Sequence, residues 1–169
     1  MSSSRRDGLA EEMATAMRQF MTQAVIYQDA VAKWAGLNST VLQCAGLLML
    51  EGPMTPSDLA ARTGLTGGGA ITAVIDHLER AGLAHRSRDD IDRRRVLVSP
   101  NPAAVTELIG AVYARIGQRW NDYLTTLTDD QITQTIQILQ HATTINRDEV
   151  ELLRTTPRAG GTARTQPRR

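Results

Sequence analysis

The sequence predicts a mainly α-helical fold that contains one small β-hairpin. Apolar residues recur every three or four positions over most of the chain, which is the period of a helix. Between residues 55 and 82, two short helical segments are separated by a turn that contains Gly64. Residues 83–98 then form two extended runs around an acidic turn at residues 89–92. These elements are those of a winged helix-turn-helix, flanked here by long N- and C-terminal helices.

Length and composition limit the class of protein. A chain of 169 residues is long enough for one compact unit with its own core. The single cysteine, Cys44, excludes an internal disulfide and is typical of a reducing compartment. No signal peptide is recognisable, and the longest strongly apolar run, residues 44–50, is far shorter than the ~20 residues that span a bilayer. We therefore expect a cytoplasmic protein with no membrane partner.

Residues 8–35 have the pattern of one long amphipathic helix. Its apolar residues form a single stripe, and a stripe of this kind requires burial. Gly36 is expected to end the helix, and Asn38 or Ser39 to cap a second helix that runs to Gly52. The stripe comprises Leu9, Met13, Met17, Phe20, Ala24, Tyr27, Val31 and Trp34.

The helix-turn-helix consists of the next two helices. Thr55 is a suitable N-cap for the first, Pro56 suits its first position, and Gly64 suits the left-handed residue after its last turn. Thr66 is expected to cap the second helix, which is the recognition helix and ends before Gly82. The core-facing residues of that second helix are Ile71, Val74, Ile75 and Leu78.

The hairpin after Gly82, which is the wing of the winged helix-turn-helix, concentrates positive charge, although the net charge of the chain is only +1. Its strands are expected at roughly residues 83–88 and 94–98. A planar arginine cation fits the negative potential of a narrow DNA minor groove, so this hairpin beside a helix-turn-helix indicates DNA binding. The arginines at or near its tip are Arg86, Arg88, Arg93, Arg94 and Arg95.

Two further helices follow the hairpin. Asn101 is expected to cap one that runs to about Leu127, and Thr128 to cap another that runs to about Leu153. Residues 155–169 are rich in Gly, Pro, Thr and Arg without an apolar period, and are predicted to be a disordered basic tail.

The long flanking helices carry more apolar surface than one small winged unit covers. We expect this surface to be buried in a two-fold homodimer that sets two recognition helices roughly 34 Å apart, about one turn of DNA. The chain then divides into an N-terminal dimerisation helix (1–36), a DNA-binding domain (37–100), C-terminal dimerisation helices (101–154) and the tail (155–169).

Three short motifs identify a family resemblance. LNST occupies residues 37–40, LERAGL residues 78–83 and DRR residues 92–94. Together they make the segment from Leu37 to Pro100 resemble the MarR family of bacterial transcriptional regulators. The resemblance implies a repressor that binds double-stranded DNA as a homodimer at an inverted-repeat operator. It also implies that a small-molecule ligand releases this repressor from the DNA.

The candidate DNA contacts lie at the start of the recognition helix and in the wing. Free N–H groups at a helix start suit a phosphate, and glycines let the backbone approach DNA closely. The resemblance implies that Arg94 enters the minor groove while Asp92 braces a neighbouring arginine, with Arg93 as the alternative groove residue. Because the recognition helix is poor in base-reading side chains, shape and backbone contacts are expected to dominate. The candidates are Thr66, Gly67, Gly68, Gly69, Thr72, Ala73, His77, Arg86, Arg88, Asp92, Arg93 and Arg94.

A ligand site is a further expectation from the resemblance, because family members often hold aromatic acids between dimer helices and winged domain. Tyr27, Trp34 and Tyr113 would supply an aromatic wall, and Arg115 a cation for a carboxylate. The alternative is that these aromatics are ordinary core residues.

Other classes of function have less support. Cys44 lies among apolar residues, which favours core packing over a redox sensor because burial makes a thiol inert. No nucleophile–base pair, metal-ligand spacing or phosphate loop is recognisable, so neither an enzyme nor a cofactor is expected. A winged module that recruits another protein is the remaining alternative, favoured by the plain recognition helix and opposed by the arginine-rich wing.

Overall fold

The computed structural model of the chain describes residues 2–65 and 68–156. Its elements are α1 (Ser2–Trp34), α2 (Ser39–Glu51), α3 (Pro56–Thr63), α4 (Gly68–Arg80), β1 (Ala84–Arg88), β2 (Val96–Pro100), α5 (Pro102–Leu124) and α6 (Asp129–Thr155). They form two compact units, Met1–Ile116 and Gly117–Arg169, so that α5 contributes to both. The predicted fold class, mainly helical with one hairpin, is confirmed.

The helix ends follow the capping residues closely. Asn38 accepts a hydrogen bond from the Val41 N–H at 2.8 Å and caps α2, and Thr55 accepts one from the Asp58 N–H at 3.1 Å and caps α3. Gly64 takes the left-handed conformation at φ 72° that ends α3. Thr128 caps α6 through a reciprocal capping box with Gln131.

Unit 1 has one hydrophobic core, to which the end of α1, the start of α5, the hairpin and helices α2, α3 and α4 contribute. Its largest fully buried side chains are Leu48, Leu59, Ile75, Leu78, Val41, Val98 and Cys44. Outside the two strands, Met54 forms an additional antiparallel bridge with Val98, with N···O distances of 3.2 and 2.8 Å. This bridge anchors the hairpin to the segment that precedes α3.

Helix α1 differs from its prediction in extent and in burial. It begins at Ser2 rather than residue 8, because residues 2–7 contain no proline or glycine that would end a helix. The stripe predicted to be buried is buried at Val31, whereas Leu9, Phe20 and Trp34 are 51–65% exposed in the isolated chain. The core of unit 1 therefore covers only the last turns of α1.

The hairpin and α5 also have different bounds from those predicted. Strand β2 begins at Val96 rather than residue 94, and β1 pairs with it so that Arg86 lies opposite Val98. Helix α5 ends at Leu124 rather than Leu127, where the Thr125 and Thr126 hydroxyls donate to carbonyls in its last turn.

Helix α6 has apolar residues at a helical spacing, yet none of its described residues is buried. It reaches Thr155, the first residue of the predicted tail, and the remainder of that tail from residue 157 lies outside the described residues. In the parts of the chain that the structure describes, no helix has both the length and the apolar character needed to cross a membrane.

Candidate nucleic-acid interface

The two faces of α4 have different characters. One face packs into the core through Ile71, Val74, Ile75 and Leu78. On the opposite side, Gly68, Gly69, Thr72 and Ala73 are exposed and His77 is half-buried. The Thr72 hydroxyl donates to the Gly68 carbonyl at 2.8 Å. The first turns of this exposed face therefore carry only small side chains, and Thr66 and Gly67, which were predicted to begin it, lie outside the described residues.

Arg86 reaches from β1 to the last turns of α4. Its Nη2 donates to Asp76 Oδ1 at 2.7 Å, and its Nη1 pairs with Glu79 Oε2. The backbone N–H of Arg86 donates to the other oxygen of Glu79 at 2.7 Å. The hydrogen bond with Asp76 is the main cause that raises the pKa of Arg86. The guanidinium that sequence analysis placed on DNA thus already has two carboxylate partners.

The wing tip is a seven-residue turn at residues 89–95, held by two aspartates. Asp89 Oδ1 accepts from the Ile91 N–H at 2.9 Å, and Asp92 Oδ1 accepts from the Arg94 N–H at 3.0 Å. Turns of this kind, in which an Asp side chain replaces a backbone acceptor, keep the chain out of the strand conformation. This explains why β2 begins later than predicted.

Arg93 and Arg94 are exposed at this tip. Neither guanidinium has a hydrogen-bond or ion-pair partner within residues 2–65 and 68–156. The other tip arginines are engaged: Arg88 Nη1 donates to the Arg93 carbonyl at 3.2 Å, and Arg95 lies 3.8 Å from Asp89. Asp92 braces the backbone of Arg94 rather than an arginine side chain. The tip therefore presents two free cations on a turn whose backbone is hydrogen-bonded by Asp89 and Asp92.

Three of the four predicted ligand residues line one cavity of about 480 Å³ between α1 and α5. Tyr27 and Trp34 form part of its apolar wall, and Arg115 lies at the same cavity. Tyr113 is not among its lining residues; its ring packs edge-on against Tyr27, with centroids 6.2 Å apart. Tyr113 instead lines a second cavity of about 300 Å³ between α2 and α5, which sequence analysis did not predict.

Cys44 is fully buried in α2. Burial raises the pKa of its thiol, and a hydrogen bond with Thr63 opposes this only in part. Burial in the core was the interpretation preferred from the sequence, and it is confirmed.

We expect the buried thiol to be unreactive in the folded protein. Because its pKa is raised, the thiolate that reacts with iodoacetamide is scarce at neutral pH, and the core also blocks access. Labelling should be slow in buffer and fast in urea, as measured by mass spectrometry. Rapid labelling of the folded protein, together with loss of DNA binding that Cys44→Ser prevents, would restore the redox-sensor hypothesis.

Among the described residues, no three histidine, cysteine, aspartate or glutamate side chains come close enough together to hold a metal ion. The pairing of Arg86 with Asp76 and Glu79 was missed by sequence analysis. The sequence signal for this pairing is an arginine that follows two acids spaced three residues apart on one helix. Predicting the contact, however, requires knowing how β1 packs against α4.

Comparisons with known proteins agree with this architecture. The model of the MarR family matches residues 35–95. An HTH-type transcriptional regulator of Bacillus subtilis (strain 168), YcgE, is 32% identical over 149 residues, which cover 88% of this chain and 96% of that protein.

Solved structures show the same fold. A MarR family transcriptional regulator from Silicibacter pomeroyi is 18% identical with a TM-score of 0.60, and the match covers 80% of this chain and 90% of that one. The transcriptional regulator Tm0710 from Thermotoga maritima is 17% identical with a TM-score of 0.58, over 83% of this chain and 98% of that one. The family is one of transcriptional regulators rather than enzymes. This chain, a DNA-binding transcriptional regulator with a winged helix, belongs to the MarR family.

Proposed function

We propose that the protein is a repressor that binds an inverted-repeat operator as a homodimer. In each protomer α4 lies in the major groove and the wing tip enters the adjacent minor groove. The observation that carries this proposal is the pair of free, exposed cations at Arg93 and Arg94, on a hydrogen-bonded turn of the hairpin that follows α4.

The contacts we propose follow from this docking. Gly68 and Gly69 bring the backbone close to a phosphate, while Thr72, Ala73 and His77 face the groove and make few hydrogen bonds to bases. Arg88 and Asp92 hold the shape of the tip, and Arg93 or Arg94 occupies the minor groove. Thr66 and Gly67 complete the helix start in this proposal on the basis of sequence alone. Specificity then comes mainly from the shape of the DNA.

The dimer is supported by the exposed apolar faces of α1 and α6. Phe20 of α1 is 51% exposed and Ile136 of α6 is 50% exposed in the isolated chain. Apolar faces of this length are rarely left in water, and packing against a second copy of the chain would bury them.

A gel-shift titration of the DNA flanking the protein's own gene tests the proposal. We expect a single retarded band at nanomolar protein that a random duplex of the same length does not compete away. A reporter driven from the same fragment should lose expression when the protein is present. Equal affinity for both duplexes would contradict operator recognition, and increased reporter expression would contradict repression.

We further propose that a small aromatic carboxylate binds the cavity between α1 and α5. Tyr27 and Trp34 provide apolar contact, and the Arg115 guanidinium has no partner among the described residues and is available to a carboxylate. Tyr113 acts indirectly here, by supporting the ring of Tyr27.

Benzoate is a suitable probe for this site. In a Trp120→Phe background, benzoate should perturb the fluorescence of Trp34 and weaken DNA binding. Arg115→Gln should weaken benzoate binding by about tenfold or more, since a hydrogen bond to a charged group contributes roughly 1.5–3 kcal/mol. Arg119→Gln, one turn further along α5, is the matched control. Equal responses of the two variants, or none to benzoate, would exclude this site for aromatic acids.

A further inference from the structure

The recognition helix carries two acidic side chains close to the surface proposed to face DNA. Asp76 and Glu79 lie three residues apart on α4, and their side chains are 51% and 32% exposed. Asp76 follows Thr72 and Ala73 by one turn on the exposed face of the helix. Carboxylates in this position repel the phosphates of a bound duplex, and the repulsion extends over roughly 10 Å at moderate salt. An isolated acidic pair here would oppose DNA binding.

A single arginine satisfies both acids. Arg86 contacts Asp76 through Nη2 at 2.7 Å and Glu79 through Nη1, and its backbone N–H occupies the second Glu79 oxygen at 2.7 Å. The arginine side chain is only 31% exposed. These contacts join the last turns of α4 to the first strand of the wing, so they connect the two elements that are proposed to enter the two grooves.

We infer that Arg86 is a positioning residue that masks Asp76 and Glu79 and holds the wing against the recognition helix, and that it does not itself bind DNA. This inference rests on the DNA-binding mode proposed above. For Arg86 to reach a phosphate it would have to leave two carboxylates that are already well placed, whereas Arg93 and Arg94 break no such contact when they bind. Arg86 thus enables binding by removing repulsion rather than by adding a contact.

A double-mutant cycle distinguishes masking from direct contact. Arg86→Gln is combined with Asp76→Asn and Glu79→Gln, since the amides keep an acceptor oxygen but remove the negative charge. Masking predicts that Arg86→Gln weakens binding to the DNA flanking the gene by roughly tenfold in the wild-type background, from the Coulomb energy of two unmasked charges. In the Asp76→Asn/Glu79→Gln background, the same change should have less than about a twofold effect.

Other outcomes overturn the inference. A direct phosphate contact predicts the same loss in both backgrounds, and a role in stability alone predicts a loss that follows the fraction unfolded, measured by circular dichroism at the assay temperature. Lys33→Gln is the matched control, because it removes one positive charge and breaks the exposed ion pair with Asp29, far from the wing in sequence. If the wild-type protein does not bind its fragment, the proposed operator recognition is wrong. If it binds and the effects of the substitutions are additive, only the masking role of Arg86 is wrong.

Discussion

Replacing Arg93 and Arg94 together by alanine is expected to weaken DNA binding by about 100-fold at moderate salt, because each protomer of the proposed dimer loses its groove arginine and each such contact contributes roughly 1–3 kcal/mol. Both guanidinium groups are exposed and have no partner in the described part of the chain, so their removal breaks no internal contact. The fold should remain intact, and the loss should report the DNA contact alone. Fluorescence anisotropy over a range of salt concentrations measures it.

The salt dependence provides the second half of this test. Each arginine that displaces a counterion contributes about one unit to the slope of log K against log salt, so the variant should have a flatter slope. Arg5→Ala/Arg6→Ala, on α1, makes the same change in charge at an adjacent exposed pair and should alter neither affinity nor slope appreciably. An unchanged slope in the Arg93→Ala/Arg94→Ala variant would exclude the wing tip from the interface.

The two single variants then identify the groove residue, which sequence analysis left open. The hydrogen bond from the Arg94 N–H to Asp92 fixes the backbone at Arg94, whereas the Arg93 carbonyl accepts from Arg88. Both side chains leave the same hydrogen-bonded turn, so a larger loss in one variant will show which of them the turn directs into the groove.

The features that are best predicted from the sequence are those that depend on neighbouring residues. The caps at Thr55 and Thr128 were predicted, and Asn38 was one of two candidates for the cap of α2, because a cap needs only a side chain and the next three N–H groups. The start of β2 was placed two residues too early, because the two aspartate-based turns at the tip compete with strand pairing and leave no signal in apolar periodicity. A local structure can be predicted from the sequence when one interaction dominates, and is predicted less well when two interactions compete.

The candidate site was predictable where it depends on which residues of one element face solvent, and not where it depends on a contact between elements. That Arg93 and Arg94 are exposed follows from their place at a hairpin tip. That Arg86 pairs with Asp76 and Glu79 depends on the packing of β1 against α4, which is a tertiary contact between residues seven to ten positions apart. The Met54–Val98 bridge was missed for the same reason, since the pairing joins residues from distant parts of the sequence.

Ile136→Glu/Leu139→Glu is expected to convert the proposed dimer to monomers. The two residues lie on one side of α6 and are 50% and 46% exposed in the isolated chain, so the substitutions should not disturb the fold of the protomer. In a two-fold interface four carboxylates would be buried, each at an effective cost of several kcal/mol. The dissociation constant of the dimer should rise by about 1000-fold or more, measured by sedimentation equilibrium.

The same variant should lose DNA binding although its recognition helix and wing are unaltered. A dimer binds its second half-site intramolecularly, and this raises affinity by roughly 10²–10⁴ over one half-site alone. Gln137→Glu/Gln140→Glu, with the same spacing one position along α6, adds the same charges to exposed polar positions and should leave both dimer and DNA affinity nearly unchanged. If the Ile136→Glu/Leu139→Glu variant remains dimeric, α6 is not the dimer interface, and its apolar face must be covered in another way.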